Sequence, residues 1–165
     1  MEEAGSIRRG YFVKDLGPTQ FALPGAVDRL RLLRRPSDTV CVHLIGSTDP
    51  VNPFGVVLPW PEYNEGRKPM RLVGSWVVII DGYAAAWLAP GDTQLVTFLS
   101  NVAHLEPERV AQEIVEALVR EVLSGRRRAI FLTEIDGQRR PAEPMASALE
   151  SAGFHHSEQG YQKKL

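Results

Sequence analysis

The stretch LVGSWVVIIDGYAAAWLA, residues 72–89, restricts what this chain can fold into more than any other. Asp81-Gly82 stands between two apolar runs, and such a pair readily takes the positive φ angles of a tight two-residue β-turn. The arms are apolar at nearly every residue rather than at alternate ones, so both faces of the predicted hairpin must be covered. Ala84, Ala85 and Ala86 predict close packing against a neighbouring element. A further strand is expected over 93–98.

Around this hairpin the punctuation predicts the remaining elements. Pro107 can open a long helix that Gly125 ends, and Val110, Ile114, Leu118 and Val122 recur at every fourth residue as a core-facing stripe. A strand over 129–135 is expected to run into a second Asp-Gly hairpin at 136–137. A short helix over 144–152 closes at Gly153, and 154–165 reads as one strand or a small hairpin. Toward the amino end, Met1–Ala4 are helix formers and Gly5 is a helix-stop residue, so the chain reads as starting at the last turn of a helix. A strand over 7–13, a Gly17-Pro18 turn and a helix from Pro24 to Leu33 follow. That helix has Asp28 early and Arg29, Arg31, Arg34 and Arg35 late, the order a helix dipole favours, and 36–38 end it. A strand is expected over 39–45. Residues 46–70 carry too much Pro, Gly, Asn and Asp for a regular element beyond a short strand at 55–58. The expectation is an α+β fold, with a mainly antiparallel, strongly curved or barrel-like sheet of about seven strands and three to four short packing helices. It is read as a single domain over 1–165.

Composition restricts function more than fold. With 165 residues and a net charge of −1 the chain is no polycation, so nucleic-acid binding must come from local clusters. Cys41, the one cysteine, lies in an apolar run and reads as a buried small hydrophobe; a lone cysteine fits a reducing compartment. No apolar run approaches the roughly 18 residues of a membrane span, and no signal peptide is evident, so a soluble, cytoplasmic protein without membrane contact is expected. The chain contains no GxxxxGK[ST] phosphate loop, no GxGxxG after a strand and no GxSxG elbow. No catalytic residues, metal or cofactor are assigned. His43 and His104 are isolated, and the adjacent His155 and His156 would face opposite sides of a strand.

The polar candidates are therefore loop and surface residues. Asp49 and Asn52 follow a strand in an irregular loop, where they can shape the backbone or contact a ligand, together with Trp60. Asp81 and Asp136 read as turn residues. The basic candidates for nucleic-acid binding are Arg8, Arg9 and Lys14 near the first strand, Arg67, Lys68 and Arg71 beside the loop, Arg126, Arg127 and Arg128 after the long helix, and Arg139 and Arg140 in the second hairpin. Lys163 and Lys164 end the chain's charge pattern. Tyr11, Phe12, Trp60 and Tyr63 could stack on bases.

The segments EEAGSIRRGYFVKDLGPTQFALPGAVDRLR, DPVNPFGVVLPWP, VVIIDG and ASALESAGF, in this order, resemble the carboxyl-terminal region of large helicase-related (Lhr) proteins, bacterial and archaeal superfamily 2 DNA helicases. The resemblance implies two ATPase domains joined to winged-helix and β-barrel modules, with this chain as the terminal barrel-like module. It also implies that 1–13 is the remnant end of a winged helix, and that the winged helix and ATPase motifs lie elsewhere. Related regions are similar to a tandem winged-helix DNA glycosylase family, whose catalytic residues have no counterpart here. The ending HHSEQGYQKKL departs from the arginine-rich family ending. The expected role is a non-catalytic, DNA-associated accessory module that contacts nucleic-acid backbone and/or braces neighbouring winged helices. The alternatives are an interaction or self-association module, whose cut helix end would leave apolar surface uncovered, and a DNA glycosylase-like fragment centred on Asp49.

Overall fold

The computed structural model describes residues 6–13, 16–33 and 39–164. The chain divides into two compact units, Met1–Thr39 and Val40–Leu165.

In the first unit β1 (Arg8–Arg9) pairs antiparallel with β2 (Phe21–Ala22). This is shorter than the strand expected over 7–13, because a side chain takes over the pairing. The Gln20 carboxamide oxygen accepts the N–H groups of Phe12 and Val13, and its NH2 donates to the carbonyls of Val13 and Gly17. The helix α1 (Ala26–Leu33) follows, with Asp28 and Arg31 paired at 3.3 Å on its exposed face. Arg34, Arg35 and the expected stop at 36–38 lie outside the described residues, as do Met1–Gly5.

The second unit is built on β3 (Val42–Gly46), β4 (Trp76–Ile80), β5 (Tyr83–Leu88) and β6 (Gln94–Thr97), each antiparallel to the next. The Asp81-Gly82 hairpin forms as its sequence requires, with φ of +48° and +89° at the two turn residues. Ala85 is an extra residue on β5, since Val78 pairs with Ala86 and Ile79 with Ala84; such a bulge bends its strand and deepens the twist. A single 3-10 turn, Leu99–Asn101, leads to α2 (Pro107–Leu123). Then come β7 (Ala129–Leu132), β8 (Glu134–Ile135), α3 (Met145–Ser151), β9 (His155–Ser157) and β10 (Gly160–Lys164).

Both faces of the five-stranded sheet are covered, as the unbroken apolar arms of the hairpin demand. On one side Val78, Ile80, Ala85, Leu88 and Leu95 pack with Val110, Ile114, Leu118 and Val122 of α2, with Met145 and Leu149 of α3, and with Ile130, Leu132 and Tyr161. Each of the buried Val, Leu, Ile and Met side chains among these contributes on the order of 1.5–3 kcal/mol of apolar transfer. On the other side Val77, Ala84, Trp87, Val96 and Phe98 are roofed by Phe54, Leu58, Trp60 and Tyr63 from the 47–75 loop. The alanines fit because residues on both sides press against β5.

The curved, barrel-like sheet is not what forms. Among the described residues there are three separate sheets, and none closes: β3-β4-β5-β6-β8, β7-β10-β9 and β1-β2. The expected strand over 129–135 breaks at Thr133, which donates its N–H and hydroxyl to the Thr93 carbonyl. That break sends β7 to pair with β10 while β8 runs parallel to β6. The second Asp-Gly turn keeps its left-handed backbone, yet it closes only the single bridge Ile135–Gln138 and starts no hairpin. The strand expected at 55–58 is likewise a tight loop, with one bridge between Phe54 and Leu58. The tail does form a small hairpin, β9 with β10.

Candidate nucleic-acid interface

The long loop is held by polar side chains that fold inward. Asn52 is buried, donating to the Ser47 carbonyl at 2.8 Å and accepting the Phe54 N–H at 3.1 Å. Asp49 accepts the Val51 N–H at 2.8 Å, the local turn that a short carboxylate makes readily. Arg71 is half-buried, and its guanidinium donates to the carbonyls of Asn52, Phe54 and Asp49. Ser47 and Ser75 bond to one another beneath it. Trp60 stacks between Phe54 and Phe98, at 6.2 and 6.5 Å between ring centres. The polar groups of Asp49, Asn52 and Arg71 are thus engaged in shaping the loop, and Trp60 belongs to its apolar underside.

Most of the other described basic residues are exposed. Arg8 and Arg9 are exposed on β1, and Lys14 lies outside the described residues. Arg67, Lys68, Arg139 and Arg140 are all exposed. Two glycines bring these last two pairs to adjoining turns: a Cβ on Gly66 would lie 3.1 Å from the Gly137 nitrogen, and one on Gly137 would lie 3.0 Å from the Gly66 nitrogen. Glycine at both positions leaves room for the backbones to approach this closely. The turn bearing Arg67-Lys68 therefore abuts the turn bearing Arg139-Arg140. A second grouping comes from strand register. Lys164 pairs opposite Ala129 and Lys163 opposite Ile130, and Arg128 is the residue before β7. Arg128 and Lys164 are exposed, whereas Lys163 caps α3 by donating to the Ala152 carbonyl at 2.8 Å. Arg126 pairs with Glu121 through Nε and NH2, and Arg127 is turned into the protein against Asp92 and Trp76.

Several interacting groups carry no local signal in the sequence. Asp136 accepts from both the N–H and the hydroxyl of Thr97, each at 2.7 Å, and its burial pushes the carboxyl pKa up despite these bonds. It stands at the edge of a cavity of about 530 Å³ whose lining includes Tyr63, Phe98, Glu62 and Glu143. At Asp81 burial also pushes upward, but the Cys41 N–H and His104 outweigh it and hold the carboxyl below its ordinary value. Cys41 is exposed rather than buried, with its Sγ 3.1 Å from His43 Nε2 on the same side of an edge strand. Its apolar neighbours alternate sides, and the cysteine falls on the open one. The pairing of Arg127 with Trp76 and Asp92 joins distant parts of the chain, so only packing reveals it. Among the described residues no cluster of three His, Cys, Asp or Glu side chains could hold a metal, and no helix is long and apolar enough to cross a membrane.

Comparison with known proteins supplies the context for this arrangement. The family model for the winged-helix domain of the large helicase-related protein matches residues 1–41, close to the extent of the first compact unit. A Mycolicibacterium smegmatis protein named Lhr helicase/probable uracil glycosylase is 36% identical over 142 residues, covering 82% of this chain and 9% of the relative. The Escherichia coli K12 Lhr helicase/uracil glycosylase is 34% identical over 163 residues, or 97% of this chain and 10% of the relative. The chain thus spans about a tenth of the length of these curated relatives. The likeness runs through both compact units, and by it the chain is a module of the large helicase-related (Lhr) protein family.

Proposed function

We propose that this module is a non-catalytic, DNA-associated part of an Lhr-type ATP-dependent DNA helicase acting in the cytoplasm. It grips nucleic-acid backbone and braces the neighbouring winged-helix domains. The observation that carries the DNA interaction is the Gly66–Gly137 approach, which sets the exposed Arg67, Lys68, Arg139 and Arg140 on adjoining turns. Clustered guanidinium and ammonium groups neutralise phosphates and release counterions, so such a surface binds with a strong salt dependence. In an anisotropy titration against single- and double-stranded DNA, the fourfold alanine variant of these residues is expected to bind more weakly. Its log affinity should also fall less steeply with log salt, by about 0.7–0.9 for each phosphate that is no longer neutralised. An unchanged affinity and slope would overturn this interface.

A second reading, a protein-interaction module, draws on the first unit. There Tyr11, Leu23, Leu32 and Leu33 are exposed, and α1 buries none of its side chains. Light scattering distinguishes the two: self-association without DNA affinity favours this second reading. The relatives' names also raise glycosylase chemistry. Asp49, the carboxylate considered for it, is spent on a backbone turn, and a uracil-release assay on the isolated chain tests that reading directly.

A further inference from the structure

Arg127 differs from every other arginine in this unit. Its side chain is only 10% exposed, and its guanidinium carbon lies 4.7 Å from the centre of the Trp76 ring. NH1 pairs with Asp92, while NH2 is buried with no hydrogen-bond partner among the described residues. Burial of a donor without an acceptor is costly, and it is rare in folded proteins unless an ion, water or ligand completes it. Burial also pushes the guanidinium pKa down, in keeping with a cation short of partners.

The same side chain lines a hollow of about 570 Å³ with Gly74, Trp76, Gly91, Asp92, Glu121 and Arg126. The hollow is placed by the end of α2: Gly125 takes φ +72°, and the Arg127 N–H donates to the Glu121 carbonyl at 3.0 Å. Arg126 meets Glu121 through Nε and NH2, which leaves its NH1 outside that pair. The two carboxylates thus orient two consecutive guanidinium groups without using all their donors. In the lining two cations, Arg126 and Arg127, stand against the two carboxylates of Asp92 and Glu121, and the guanidinium groups keep donors beyond those pairs. A tetrahedral oxyanion with several acceptor oxygens suits the remaining donors, since guanidinium forks match phosphate geometry.

We propose that this hollow is a phosphate-binding subsite, in which Arg127, held over the Trp76 ring, donates with Arg126 to a backbone phosphate of bound nucleic acid. This rests on the DNA-associated reading above. It differs in kind from the surface of Arg67, Lys68, Arg139 and Arg140: a single oriented clamp instead of a cluster of exposed side chains.

The test follows the Arg127 Nε–Hε cross-peak of the whole chain by NMR, titrated separately with a DNA oligonucleotide and with inorganic pyrophosphate. DNA is expected to shift this peak and to change Trp76 fluorescence, a change that Trp76→Phe removes. Arg127→Lys, which keeps the charge and loses the fork, should weaken DNA binding at least fivefold, with circular dichroism confirming its fold. Wild-type protein that binds DNA with the Arg127 peak unmoved would overturn the subsite while leaving the DNA-associated reading intact. A shift with pyrophosphate but no DNA binding would overturn that reading and support a subsite for free phosphate. Movement with neither would remove the subsite altogether.

Discussion

At position 136 a carboxylate in an Asp-Gly turn also ties two strands together. Its oxygens accept from Thr97 on β6 while its own N–H donates to the Leu95 carbonyl, so the turn is tied directly to its parallel neighbour. Because burial raises the folded-state pKa above the ordinary 3.8, the folded protein holds this proton more tightly than the unfolded chain. That stabilising contribution is fully present below the unfolded value and is lost as pH rises through the raised folded value. Asp136→Asn removes the charge and keeps the shape: its carbonyl can accept the Thr97 N–H, its NH2 can donate to the hydroxyl, and asparagine tolerates the +50° φ. The variant is expected to be more stable than the parent at pH 7, with the difference closing below about pH 4. Urea unfolding at both pH values measures this; equal destabilisation at both would show that the bonds outweigh the desolvation. The turn role of Asp136 was legible from Asp-Gly alone. Its tie to Thr97 was not, because 39 residues separate them and no local pattern encodes the encounter.

Elements were legible where one stretch of chain contains its own partner. The 72–89 hairpin, the α2 stripe and the glycine stops at 125 and 153 appear as read, since turn chemistry and helical period are local properties. The second Asp-Gly turn shows the limit. Four residues past Gly137 stands Pro141, which lacks an N–H to continue a ladder, and β8 instead finds β6 across the fold. The candidate site divides in the same way. Arginine clusters are visible in the sequence, but the inward turn of Arg71 and Arg127 depends on carbonyls, a carboxylate and an indole supplied from elsewhere. The β9–β10 hairpin shows how much one residue can carry at this scale. Gly160 sits at φ +135°, and a Cβ there would lie 2.1 Å from the Leu132 carbonyl oxygen and 2.9 Å from the Thr133 Cα. Both are backbone atoms with little room to move. Gly160→Ala is therefore expected to cost about 2–4 kcal/mol, from backbone strain together with overpacking. It should also loosen β10 against β7, read as faster amide exchange at Tyr161 and Gln162; unchanged exchange and stability would contradict this register.

At the scale of the whole molecule, both apolar clusters, among the described residues, draw only on residues from Val40 onward. Helices cover one face of the five-stranded sheet and the 47–75 loop covers the other, all from within the second unit. In the first unit α1 buries no side chain, and β1 and β2 are two residues each. Stability should accordingly reside in the second unit, since the burial that opposes chain entropy is concentrated there. A fragment comprising 40–165 is expected to unfold cooperatively, with a midpoint within a few degrees of the full chain by thermal circular dichroism. It retains Arg67, Lys68, Arg128, Arg139, Arg140 and Lys164 and loses Arg8, Arg9 and Lys14. DNA affinity should therefore persist, with the salt slope smaller by about 0.7–0.9 for each phosphate the first unit had neutralised. Loss of cooperativity would mean that the first unit completes the fold, and loss of all binding from a folded fragment would move the nucleic-acid interface to Arg8 and its neighbours.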